Sequence, residues 1–137
     1  FLKGTNMTFS FERMADSGLI VVAVTLDGKG KLRMILDTGC SNTTIDSNAL
    51  YLLGYELKDA LEIVEIETAN GIVESEIFEI TTIDSLGITH AKLKIQVYDF
   101  LSHGIFSNYD GLLGLDFLEG KKFCIDTHLN KITIQHV

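Results

Sequence analysis

Residues 34–41 read Met-Ile-Leu-Asp-Thr-Gly-Cys-Ser, and no other segment offers as much chemistry. A carboxylate that directly follows an apolar run is costly to bury alone, so Asp37 must be exposed, paired or functional. Gly39 allows the backbone to turn sharply and another group to approach closely. Thr38 adds a hydroxyl able to tie two such loops together. An Asp-Thr-Gly tripeptide arises by chance in roughly one chain in forty of this length, so its setting must carry the argument. Cys40 beside the carboxylate raises a second option, a thiol nucleophile served by His90, His103, His128 or His136. Nothing in the spacing brings a histidine to it, and a small packing residue is the better reading. The four histidines also lack zinc-ligand spacing, so no metal and no cofactor is expected.

The elements that must hold this segment are mostly strands. Short runs of valine, isoleucine and threonine alternate with polar residues and are separated by glycine and asparagine. Residues 5–13 alternate, with Met7, Phe9 and Phe11 on one side. Residues 19–26 form an apolar strand, Asp27-Gly28-Lys29-Gly30 a turn, and residues 32–36 the return strand that runs straight into Asp37. Ser47 or Asn48 is placed to cap a short helix ending at Leu53 and closed by Gly54. Residues 62–83 read as two long strands around Asn70-Gly71. A turn centred there sets Glu67 against Glu74 and Glu65 against Glu76, with Val64, Ile66, Thr68, Val73 and Ile77 on the opposite face. Residues 91–100 and 110–115 make further strands, the second bounded by glycines. One helical turn starts at Asp116, and strands at 123–126 and 131–137 end the chain. The expected fold is all-β, a small closed barrel with one or two short helices.

Composition limits the functions available. The 137 residues suit one domain spanning 1–137, and 46% apolar content supplies a full core. A net charge of −8, with no basic cluster, excludes nucleic acid as a partner. The longest apolar run, residues 19–24, is too short to span a bilayer, so no membrane partner is expected. Two cysteines, Cys40 and Cys124, are too few for a disulfide framework, though a single bridge is compatible with the sequence. The chain opens on Phe1 rather than methionine, which is compatible with an upstream signal peptide or further domain and leaves the compartment open. Residues 62–79 hold six glutamates and no lysine or arginine, the pattern of a solvated acidic face. The sequons at Asn6 and Asn42 are read as chance occurrences.

Ile35-Leu36-Asp37-Thr38-Gly39-Cys40-Ser41, followed by Thr43-Thr44-Ile45, resembles the active-site loop of retropepsin-like, retroviral-type aspartic proteases. Asp110-Gly111-Leu112-Leu113-Gly114, running on to Leu118, resembles the second signature of that family, an apolar pair and glycine leading into a short helix. The segments 123–126 and 131–134 are similar to the retroviral-like protease domain of ubiquitin-shuttle proteins of the DNA-damage-inducible type. The resemblance runs in order over residues 9–136. It implies Asp37 as the catalytic residue, supported by Thr38, Gly39 and Ser41. It also implies a flap over the substrate that includes Ile66, Asn70, Gly71, Ile72 and Val73. Cys40 departs from the commonest residue at its position, alanine, and the flap carries a single glycine. Cys124 falls on a core position of the resembling domain, so burial is expected.

Peptide hydrolysis by such chemistry needs two carboxylates sharing a proton. This chain has one Asp-Thr-Gly; Asp126-Thr127 continues with His128 and lacks the glycine. The resemblance therefore implies a homodimer that acts on a peptide or protein substrate, with the terminal strands 5–11 and 131–137 as contacts. Two other classes fit the same residues: a dimeric peptide-binding module that cuts nothing, and one lobe of a longer two-lobed protein.

Overall fold

A computed structural model describes residues 6–69, 71–105 and 108–135, and they form eleven strands and two short α-helices. The strands are β1 (Asn6–Ser10), β2 (Glu12–Arg13), β3 (Ile20–Leu26), β4 (Lys31–Leu36), β5 (Thr44–Asp46), β6 (Glu62–Thr68) and β7 (Gly71–Ser85). They continue as β8 (Ile88–Tyr98), β9 (Gly111–Leu113), β10 (Lys122–Asp126) and β11 (Lys131–Gln135). Helix α1 spans Ser47–Leu52 and α2 spans Leu115–Leu118.

The larger sheet runs β2-β3-β4-β9-β5-β8-β7-β6, and a further pairing of β3 with β7 closes six of these strands into a barrel. The all-β barrel expected from the sequence is therefore the fold. A second sheet, β1-β11-β10, packs its inner face on the barrel through Phe9, Phe123, Ile125, Ile132 and Ile134. Barrel and sheet share one core, in which Leu26, Met34, Ile45, Ile80, Ile95, Leu113 and Phe117 are almost wholly buried. Burying each such side chain contributes about 1.5–3 kcal/mol.

The strand expected over 5–13 is split. Phe11 leaves the first sheet, buries its ring and donates its N–H to the Asn130 carbonyl at 3.0 Å, so β1 and β2 belong to different sheets. Helix α1 is capped by Asp46 rather than by Ser47 or Asn48. The Asp46 carboxylate accepts from the Asn48 side chain at 3.1 Å and the Phe100 N–H at 3.1 Å, so it also binds the helix start to the end of β8. A hairpin with no asparagine or aspartate in its turn joins β7 to β8: Leu86 and Gly87 both take positive φ, and Ser85 pairs with Ile88.

The hairpin β6–β7 closes one step earlier than a turn centred on Asn70-Gly71. Thr68 pairs with Gly71, and the Thr68 hydroxyl donates to the Gly71 carbonyl at 2.8 Å. Glu65 consequently faces Glu74, while Glu67 faces Ile72 and Glu76 faces Ile63. The pairing shifts by two residues, an even number, so every side chain keeps its face. Val64, Ile66, Thr68, Val73 and Ile77 remain together on the inner side, and the glutamates at 65, 67, 74 and 76 remain outside.

The feature that matters most for the site is β9. It runs parallel to β4 and antiparallel to β5, and so lies between them. The chain leaves β4, turns through residues 37–43 and returns as β5 on the far side of β9. This insertion needs Gly111, because a Cβ there would lie 2.3 Å from the Thr44 carbonyl oxygen and 3.0 Å from the Ile45 Cα. Both neighbours are backbone and cannot swing aside. Gly111→Ala should lower stability by about 3 kcal/mol, the upper range for overpacking, measured as a fall in the urea midpoint with an unchanged slope.

Candidate active site

Asp37 is the first residue past β4. Its N–H donates to the Leu113 carbonyl at 3.0 Å, which ties the start of the loop to β9. Its own carbonyl accepts from the Cys40 N–H at 3.1 Å, closing a tight turn over Thr38 and Gly39. One carboxylate oxygen, Oδ1, accepts from the Gly39 N–H at 2.9 Å. That bond fixes the side-chain orientation and leaves Oδ2 without a partner among the described residues. A Cβ on residue 39 would come 3.3 Å from Oδ1, so glycine is the residue that lets its N–H approach this closely. Asp37 is half-buried, while Thr38, Gly39 and Ser41 are exposed.

The far side of the loop is held by a knot that sequence reasoning missed. Thr43 is fully buried, and its hydroxyl donates to Asp116 Oδ1 at 2.7 Å while its N–H donates to Asp116 Oδ2 at 2.8 Å. The same hydroxyl accepts from the Gly114 N–H at 3.1 Å. Leu115 and Asp116 return two bonds, donating their N–H groups to the carbonyls of Cys40 and Ser41 at 2.8 and 3.3 Å. Gly114 is confined for the same reason as Gly111: a Cβ would lie 2.5 Å from the Cys40 carbonyl oxygen. The signal for Asp116 was its position, a carboxylate directly after the second glycine signature. Its partner Thr43 gave none, because a threonine between strands reads as an ordinary turn residue.

Cys40 is half-buried and donates its thiol to the Asn42 carbonyl at 2.9 Å. Burial is the main reason its pKa is raised, and the carboxylates of Asp37 and Asp116 push it the same way. A thiol kept protonated, with no histidine against it among the described residues, is a packing residue rather than a nucleophile. His136 lies outside the described residues. Cys124 is exposed rather than buried, because it lies on the outward side of β10 opposite Thr133, and both cysteines are free. No group of three His, Cys, Asp or Glu side chains able to hold a metal occurs among the described residues. No described helix is long and apolar enough to cross a membrane.

A cleft of about 390 Å³ lies between the β6–β7 hairpin and the barrel, lined by Ile66, Thr68, Tyr98, Phe100, Tyr109 and Leu112 among others. Asp37 is not part of its wall. The wall reaches the loop through Leu112, paired with Ile35, and through Thr44, which follows the Thr43 knot. Of the hairpin residues singled out in the sequence, Ile66 lines the cleft and Val73 sits opposite it on the same face. Gly71 is exposed at the turn with φ +112°. Ile72 points to the outer, acidic face and is 70% exposed. Asn70 lies outside the described residues.

A single carboxylate on a glycine-shaped turn, clasped by an apolar strand that ends in a second glycine, defines one half of an acid-protease barrel. The aspartyl protease family model matches residues 22–117, from β3 to α2, and the chain belongs to that family. Its fold is also that of a retropepsin-like aspartic protease from Rickettsia conorii, with a TM-score of 0.69 and 18% identity over 99% of this chain and 96% of that one. Comparison with curated protein sequences gave no match.

Two measurements check the site. Asp116→Ala would leave the Thr43 N–H buried without its carboxylate, and should cost about 2–3 kcal/mol in urea unfolding. Alkylation by iodoacetamide at neutral pH should modify Cys124 well before Cys40, followed by mass spectrometry, since the raised pKa of Cys40 lowers its thiolate fraction.

Proposed function

We propose that the protein is an aspartic endopeptidase that works as a homodimer, each chain supplying Asp37. The observation that carries this reading is the Asp37 carboxylate itself. One oxygen is pinned by the Gly39 N–H and the other is unpartnered, on the only Asp-Thr-Gly in the sequence. A half-buried carboxylate held this firmly is suited to work against a copy of itself. The exposed Thr38 hydroxyl, with no partner among the described residues, is available to bond across to the second loop.

Two carboxylates about 3 Å apart at an effective dielectric near 20 repel by roughly 5 kcal/mol, so the pair retains one proton; aspartic proteases are the standard instance of this effect. The ionised member takes a proton from a water molecule as its oxygen bonds to the peptide carbonyl carbon. The protonated member gives its proton to the carbonyl oxygen. Collapse of the resulting diol breaks the C–N bond, with a proton delivered to the leaving nitrogen. Activity then falls between the two titration steps of the dyad, which belong to the pair and to neither residue alone.

In this reading the β6–β7 hairpin is the flap, with Asn70 and Gly71 at its tip and Ile66 and Val73 facing the peptide. The position of Ile72 on the outer face removes it from that contact. Strand β6 ends its sheet and has a free edge to pair with an extended peptide. The aromatic and aliphatic wall formed by Tyr98, Phe100, Tyr109 and Leu112 favours apolar side chains near the scissile bond.

Wild type and Asp37→Asn should be incubated with a diverse peptide mixture from about pH 3.5 to about pH 7.5. Cleavage by the wild type alone, at least roughly a hundredfold above the variant, is the expected result. Its rate should rise faster than linearly with enzyme concentration at the dilute end. Equal cleavage by both would remove Asp37 from the mechanism. Silence from both, in a sample that sediments as a dimer, would favour a peptide-binding module with the same fold.

A further inference from the structure

We infer that the dimer seam is the outer edge of β10, paired antiparallel with β10 of a second copy about a two-fold axis at Cys124. The inference rests on the homodimer reading above and adds to it the surface that joins the chains. The terminal strand β11 cannot add a partner, because β1 occupies one of its edges and β10 the other. The edges open among the described residues are those of β1, β2, β6 and β10. Strand β2 has two residues, too few for a seam. Pairing β6 with itself about its central residue sets Glu65 against Glu65 of the copy, and like charges directly opposed are repulsive. Pairing β1 about Thr8 sets Asn6 against Ser10 and selects nothing by charge.

Strand β10 reads Lys-Phe-Cys-Ile-Asp and is complementary to itself. A two-fold axis through Cys124 sets Lys122 against Asp126 of the copy at both ends, and Phe123 against Ile125. Lys122 has no ion-pair partner among the described residues. Asp126 uses Oδ1 to accept the N–H groups of His128 and Leu129, each at 2.9 Å, which leaves Oδ2 for the lysine. Phe123 and Ile125 lie against the core, so the apolar pair extends the inner face of the sheet into the partner. Helix α2 joins this strand to the Asp37 loop, which Leu115 touches through its bond to Cys40.

The axis makes a direct geometric demand. Directly opposed residues of an antiparallel pair have Cα atoms about 4.5 or 5.5 Å apart, and both separations suit a disulfide. Diamide takes two electrons and two protons from a pair of thiols and leaves one S–S bond, so it reports whether the two Cys124 sulfurs meet. At concentrations where the chain sediments as a dimer, Cys40→Ser should convert to a covalent dimer and Cys124→Ser should not. Lys122→Asp, an exposed position, should raise the dissociation constant of the non-covalent dimer roughly tenfold. A dimer that sediments normally but gives no Cys124 cross-link would overturn this seam and leave the dimer reading intact. A chain that stays monomeric would overturn both. A covalent dimer that cleaves no peptide would support the seam while sinking the peptidase reading.

Discussion

The site depends on β9 lying between β4 and β5 with no side chain at Gly111 to hold them apart. The Asp37 loop joins two strands that are not neighbours, so it must pass around the end of β9. Its shape is set by what β9 and α2 offer it: the Leu113 carbonyl for the Asp37 N–H, and Asp116 for Thr43. A loop anchored at both ends by buried hydrogen bonds has few conformations left to lose when a ligand arrives. Such pre-organisation is what a carboxylate needs in order to meet another group at a defined distance.

Buried polar groups in this region are paired, and the pairing runs in both directions. Thr43 gives two hydrogen bonds to Asp116 and accepts one from Gly114, while Leu115 and Asp116 give theirs back to Cys40 and Ser41. The loop and the start of α2 therefore support each other, and neither is an independent unit. By contrast, the outer face of the β6–β7 hairpin is exposed and carries Glu65 opposite Glu74. That repulsion, with little packing on the outer side, places the hairpin at the less stable end of the molecule. A rigid carboxylate beneath a loosely held hairpin suits a cleft that must admit a chain and then cover it.

A second tie keeps the cleft wall in place. Arg33 on β4 donates its guanidinium to the Asn108 carbonyl at 2.8 Å and its backbone N–H to Asp110 Oδ2 at 2.9 Å. It thus anchors the segment that carries Tyr109 to the same strand that delivers Asp37. Phe100 meets the Tyr109 ring edge-on at 6.0 Å, so wall and loop are positioned from one scaffold.

Much was legible from local chemistry. The order of apolar strand, Asp-Thr-Gly and second glycine signature is a property of sequence, and it located the carboxylate, the strands on either side of it and the all-β class. Side-chain alternation assigned both faces of the β6–β7 hairpin correctly even though the turn was placed one step late, because facing depends on parity alone. The rest needed distant partners. Asp46 is the cap of α1 because it can also reach Phe100, and Phe11 breaks a strand because Asn130 waits for its N–H. Cys124 is outside because β11 sets the face of β10. The Thr43–Asp116 clasp joins residues far apart in the chain, and no local pattern marks a threonine whose partner is chosen by how a barrel closes. The sequence by itself determined which carboxylate could act and what kind of strands would carry it. The tertiary structure alone decided how that carboxylate is held, since hydrogen bonds between remote segments form only once β9 has taken its place.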